Sequence, residues 1–291
     1  MDTRPAAADI SCAWIRRTVG RGRAEDDVLF FSLNTGLLAL ILGGIIFGAT
    51  LLGLWIGRRL RERGDTLREP LAVLRGSILG VVGLVLAFGL ALAVGRYEAR
   101  RAVVVDDANA IGTAYLRAQT LPEPIRSSSI QLLTSYTEAE IALSDHVPGS
   151  DESDAAAAVG ADLQGQLWTL AGQALQADPN GNASRLYVDS LNEVINLQTL
   201  HVAALSNRVP GTVLLLEVLG AAAALGLLAV YLAILGRGVI PVLLGAALVA
   251  MVLFVTFDLD RPTRGLIQVE PTALIAQRAS MDLPPAATGP S

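Results

Sequence analysis

The sequence predicts an all-α integral membrane protein with four transmembrane helices and a helical domain between spans two and three. Three observations predict it. Hydrophobic residues make up 52% of the 291 residues and charged residues only 17%, a balance on the apolar side of soluble domains. The charges gather between four long apolar runs. In the second run, twenty residues between Arg75 and Arg96 carry no charge. A helix of that length, rising ~1.5 Å per residue, spans ~30 Å, one hydrocarbon core. Finally, the one long polar stretch carries apolar residues at helical spacing and no alternating pattern, so it reads as helix and not as sheet.

The elements follow in order. Residues 1–29 form a polar tail that holds Cys12, the only cysteine. It has no partner for an intramolecular disulfide and no apolar targeting segment ahead of it, so it reads as a free thiol in a flexible terminus. Transmembrane helix 1 covers 30–57. Its pairs Gly44/Gly48 and Gly53/Gly57 sit four apart and strip one face of side chains, so a neighbouring helix can approach closely. The connector 58–75 is rich in arginine (Arg58, Arg59, Arg61, Arg63, Arg68) and holds Pro70. Transmembrane helix 2 covers 76–95.

Residues 96–209 form the acidic helical domain. From Glu98 to Val209 there are fourteen Asp and Glu against six Arg, a net charge of −8. Span two runs into this domain without a proline until Pro122 and Pro124, which end the helix. A second helix begins near Ile125 and stops before the breaker Val147-Pro148-Gly149. A third covers Ala155 to Leu175. Ser184 is placed to cap a fourth that runs to Asn207. The first and last of these are expected to continue spans two and three. Transmembrane helix 3 covers 210–235, the tight turn 236–238 joins it to transmembrane helix 4 at 239–257, and the tail 258–291 is proline-rich, with its last ten residues reading as disordered.

All 22 basic residues are arginine, which points to a GC-rich bacterial source, and the four apolar spans then predict an inner-membrane location. About ten arginines flank the span ends on the side of the termini and large domain, against seven opposite. That count predicts cytoplasmic termini and a cytoplasmic domain, although the short, arginine-dense connector argues the other way.

Catalytic and metal chemistry find little support in local spacing. The two histidines, His146 and His201, fall in different helices, and neither has a ligand at i+3 or i+4. No GxSxG, HExxH or phosphate-cradling loop occurs, so no catalytic residue, metal, cofactor or nucleic-acid partner is assigned. Asp107, Asn109, Thr113 and Arg117 make a dense polar run beside Gly112, readable as an inter-helix network or as a polar vestibule below a pore. Glu217 is the one acid inside a span, seven residues past Pro210. It joins the polar candidates because intramembrane carboxylates are costly, with Arg208 as a possible interfacial partner.

Several blocks in order, Arg100-Arg-Ala-Val-Val-Val-Asp-Asp-Ala-Asn-Ala-Ile-Gly-Thr-Ala-Tyr-Leu-Arg117, Leu121-Pro-Glu-Pro124, Asp189-Ser-Leu-Asn-Glu-Val-Ile-Asn196, Asn207-Arg-Val-Pro-Gly211 and Asp258-Leu-Asp-Arg-Pro-Thr-Arg-Gly-Leu-Ile267, resemble the bestrophin-like family of bacterial membrane proteins over about residues 30–275. The resemblance implies a distant relation to bestrophins, pentameric chloride-permeable channels whose second helix lines the pore. His201 stands where an arginine is expected in relatives, and no calcium-sensing acidic cluster is recognisable. On this resemblance the chain is expected to be a channel-like homo-oligomer, a pentamer, passing small anions. Val81, Val85, Phe88 and Leu92, spaced four, three and four on the second span, would then form stacked apolar rings, a pattern that lipid-facing helix packing also produces. A non-conducting scaffold or sensor whose acidic domain binds a partner is the alternative.

Overall fold

The computed structural model describes residues 33–61, 64–236 and 239–283. Cys12 and the 1–29 tail, Arg237 and Gly238 of the tight turn, and the last eight residues lie outside this set. Eight helices are described, α1 (Thr35–Arg59), α2 (Gly64–Ala118), α3 (Ile125–Asp145), α4 (Asp151–Ala177), α5 (Asn182–Ser206), α6 (Gly211–Ile234), α7 (Ile240–Leu259) and α8 (Thr272–Ser280). Four helical stretches are long and apolar enough to cross a membrane. The chain divides into two compact units. One combines residues 33–98 and 208–268, and the other is built from 99–207 and 269 onward.

In the membrane unit, α1 packs against α6 and α7. Leu38, Leu42 and Ile46 of α1 meet Leu86 of α2, Val218, Ala221 and Leu225 of α6, and Ala246 and Leu253 of α7. The glycines of α1 divide by function. A methyl group on Gly57 would lie 2.5 Å from the Val230 carbonyl oxygen and 2.7 Å from Ala233 Cβ, and Gly53 likewise abuts Gly226. Gly44 and Gly48 have nothing within 4 Å, so within the chain only half of the predicted glycine face is a close-packing seam. Arg75, at the mouth of span two, lies over the Tyr231 ring, 4.5 Å from its centroid.

Helix α2 begins at Gly64, so the predicted connector 58–75 shortens to the few residues between Arg59 and Gly64. Pro70 is the seventh residue of this helix, which runs on through it. The predicted continuation of span two out of the membrane unit is present as one helix of 55 residues. The predicted continuation into span three is not. Residues Asn207 to Pro210 break the helix between α5 and α6, because Pro210 has no N–H and disfavours helical geometry at Val209. The freed Val209 N–H donates to Asp260 Oδ1 at 2.8 Å.

In the helical unit, α3 packs on α4 and α4 on α5. Ser150 caps α4 by accepting from the Ser153 N–H. Ser184 does not cap α5, whose cap residue is Gly181. Its hydroxyl donates instead to the Ala174 carbonyl at the end of α4, 3.0 Å away. Part of the predicted tail is folded, since α8 packs on α3. The Tyr115 hydroxyl donates to the Met281 carbonyl at 2.9 Å, Arg278 pairs with Glu138 at 2.9 Å, and Gly112 leaves room for Gln277 where a Cβ would meet Oε1 at 2.6 Å.

Candidate functional site

The polar residues singled out in the sequence separate in space. Asp107 points into the helical unit and is fully buried, whereas Asn109 and Thr113 lie on the exposed side of α2. Thr113 spends its hydroxyl on the Asn109 carbonyl, and Arg117 donates to the Leu186 carbonyl at 2.7 Å. The four do not form one network. An open cavity of about 400 Å³ is lined by Asn109, Thr113 and Leu116 of α2 and by Gln277 and Ser280 of α8.

Asp107 meets two residues that local spacing did not select. His201 of α5 and Glu140 of α3 are each buried to 1% exposure. His201 Nδ1 lies 3.4 Å from Asp107 Oδ2 and 3.3 Å from Glu140 Oε2. The donor atoms of all three lie within 4.8 Å of one another. Gln198 Nε2 donates to Glu140 Oε1 at 3.0 Å, and Gly160 on α4 makes space for that pair, since a Cβ there would meet Gln198 Nε2 at 2.8 Å. On the far side of the ring, His201 Nε2 lies 3.3 Å from Ser144 Oγ. Burial disfavours the imidazolium, but the adjacent carboxylates of Asp107 and Glu140 outweigh it and raise the His201 pKa to about 9. Burial, joined by the charge of Glu140, pushes Asp107 up against the opposing pull of His201. The Tyr136 phenol beside the cluster is held well above its usual range, first by burial.

The face of α2 within the membrane unit is open. Val81 and Phe88 are 63% and 62% exposed, Leu92 is also exposed, and Val85 is half-buried. Only 17% of the second span's apolar window is buried within the chain, against 39% for the third, so this span is the one its own chain covers least. Glu217 of α6 is buried against Gly89 of α2. Neither of its oxygens is hydrogen-bonded, to Arg208 or to any other described residue.

Beyond α7, the run Asp258-Leu259-Asp260-Arg261 acts as a clamp. Asp258 Oδ2 accepts from the main-chain N–H groups of Leu266 and Ile267 at 2.8 and 3.0 Å. Gly265, with φ of +127°, turns the chain tightly over that carboxylate. Asp260 holds Val209, and Arg261 donates to the Leu33 carbonyl just ahead of α1. In the helical unit Arg100, almost fully buried, donates to the carbonyls of Ala204 and Asn207 at 3.2 and 2.6 Å and closes the C-terminus of α5.

The Bestrophin-like domain family matches residues 44–274. The chain belongs to the bestrophin-like family. A crystal structure of a bacterial bestrophin homologue from Klebsiella pneumoniae superposes with a TM-score of 0.61 at 12% identity, covering 81% of this chain and 98% of that one. A second structure of the Klebsiella homologue gives 0.60 at 13% identity, covering 81% and 94%. No curated protein matches the sequence. Together with the four apolar helices, these findings establish an all-helical bestrophin-like membrane protein.

The blocks that carried the bestrophin-like resemblance can now be read physically. Arg100, Gly112 and Arg117 hold α2 to α5 and α8, and the Asp258–Ile267 block is the clamp. Glu140 and His201 escaped the sequence reading because they come from helices far apart in the chain. A signal was present nonetheless. Each sits at a core position of its helix, Glu140 after Leu133, Tyr136 and Thr137, His201 after Leu191, Val194 and Leu197, where an ionisable side chain is unusual.

Proposed function

We propose that the protein assembles into a homo-oligomeric, channel-like ring that passes small anions, with α2 of each subunit toward the axis. The observation that carries this reading is the bare face of span two. A span that leaves Val81, Phe88 and Leu92 uncovered has its partners outside the chain, and a closed ring needs one such helix from each subunit. Stacked apolar rings of Val81, Val85, Phe88 and Leu92 would gate by dewetting. Asn109 and Thr113, exposed on the same helix, supply neutral hydrogen-bonding groups beyond the apolar stretch. Membership of the bestrophin-like family supports the channel class, and the arginine count supports a cytoplasmic helical unit in a bacterial inner membrane.

One observation favours cations over anions as the permeant species, the net charge of −8 between Glu98 and Val209, which concentrates cations near an entrance. Bilayer recordings under a salt gradient decide between them by the sign of the reversal potential. Phe88→Ala is expected to raise basal conductance while leaving the oligomer intact. Oligomers that carry no current, with and without Phe88→Ala, would refute the channel reading and leave a non-conducting scaffold.

A further inference from the structure

We propose that Asp107, Glu140 and His201 bind one first-row divalent transition-metal ion, through His201 Nδ1 and an oxygen of each carboxylate, so that the metal staples α2, α3 and α5 together.

The argument starts from the proton on the far side of the ring. The Ser144 hydroxyl donates to the Glu140 carbonyl at 3.0 Å, so its oxygen is left to accept from His201 Nε2, 3.3 Å away. Nε2 therefore carries hydrogen, and the neutral ring turns the Nδ1 lone pair toward two carboxylate oxygens. Three donor atoms, one from each side chain, lie within 4.8 Å of one another. A proton, on Nδ1 or on Asp107, or a metal ion makes that arrangement favourable.

Distance favours the metal, and charge permits it. Charge-assisted N–H···O bonds run ~2.7–2.9 Å, but Nδ1 stands 3.4 and 3.3 Å from the two oxygens, and Nδ1 and both Asp107 oxygens are without a hydrogen bond. A tetrahedron of ~2.0–2.1 Å metal bonds has edges of ~3.4 Å. Two ionised carboxylates with an imidazolium leave a net charge of −1 in a site whose three side chains are at most 1% exposed, a state that desolvation penalises. A further proton on Asp107 or a divalent ion with a neutral imidazole brings the sum to zero, and of these the long Nδ1 distances favour the ion.

The surroundings have the form of an outer coordination sphere. Metal-bound imidazoles commonly donate their other N–H to a neighbour, and ligating carboxylates are themselves hydrogen-bonded. Ser144 performs the first task and Gln198 the second. Mixed imidazole and carboxylate ligation selects Zn²⁺, Mn²⁺, Fe²⁺ or Co²⁺ over the oxygen-preferring Mg²⁺ and Ca²⁺.

The experiment uses untagged full-length protein carrying His146→Gln, which leaves His201 as the only imidazole of the two in the sequence. Metal is stripped with a chelator, Zn²⁺, Mn²⁺ and Co²⁺ are returned separately, and bound metal is counted by mass spectrometry. Zn-edge X-ray absorption then reads the ligands. The expected result is about one metal per chain with one imidazole nitrogen, and Mg²⁺ does not displace it. Gln198→Ala weakens binding about 10-fold, and Asp107→Asn weakens it by more than the ~10–100-fold that loss of an outer partner costs. Failure to bind any of the three metals, or a zinc site without imidazole, would overturn the proposal, and both readings come from protein with the site intact. Unchanged affinity in folded Asp107→Asn would overturn it as well.

Discussion

Replacing Gly57 with alanine should destabilise the membrane unit, whereas the same change at Gly44 should not. A Cβ at position 57 would stand 2.5 Å from the Val230 carbonyl oxygen, 2.7 Å from Ala233 Cβ and 2.9 Å from Val230 Cα. Ordinary van der Waals contact begins near 3.4 Å, so α1 and α6 must separate locally by about 1 Å. Two of the three obstacles are main-chain atoms, which cannot rotate away. Overpacking of this kind costs about 1–3 kcal/mol, against about 0.5–1 kcal/mol regained when glycine leaves a helix. At Gly44 nothing lies within 4 Å, and only the gain remains. The two variants should differ by about 2 kcal/mol, equivalent to roughly 4–8 °C in melting temperature if the ~2–4 °C per kcal/mol typical of domains this size holds in detergent. Thermal unfolding of the purified proteins in one mild detergent provides the measurement. A Gly57→Ala protein that melts at or above Gly44→Ala would refute the seam between α1 and α6.

Three further outcomes follow from the polar contacts. Asp258→Ala strands the Leu266 and Ile267 N–H groups and should lower stability by about 1–3 kcal/mol, measured by denaturant titration in detergent. Arg100→Met removes two charge-assisted bonds to the end of α5, each worth about 1.5–3 kcal/mol, and hydrogen exchange should quicken first at residues 204–207. Gly112→Leu should displace Gln277, so limited proteolysis is expected to release a fragment from residue 269 onward sooner than in the parent protein.

The membrane character of the chain was legible because it depends on local composition. Twenty uncharged residues between Arg75 and Arg96 cross a bilayer whatever they pack against, and the run from Arg96 to Ala118 contains nothing to stop a helix. Proline alone did not make the breaks legible: the helix ended before Pro122 as read, but the last domain helix was expected to continue past Pro210, where residues 207–210 interrupt it, while the long helix runs on through Pro70. The α8 helix was hidden in a proline-rich tail because its nine residues gain their stability from burying Leu274, and the capping Met281 beyond them, against other helices, and not from their own propensity.

Sequence alone determined the four spans, the helical unit between the second and third, and the family, since each rests on runs of neighbouring residues. Tertiary structure alone decided which glycines are seams, that Asp107 parts from Asn109 and Thr113, and that His201 and Glu140 join it. Residues 107, 140 and 201 lie tens of positions apart, so no local period links them. Only the packing of α2, α3 and α5 brings their donor atoms within 4.8 Å, and only burial gives that proximity its chemical force, because charges that water would screen must there be balanced by one another or by an ion.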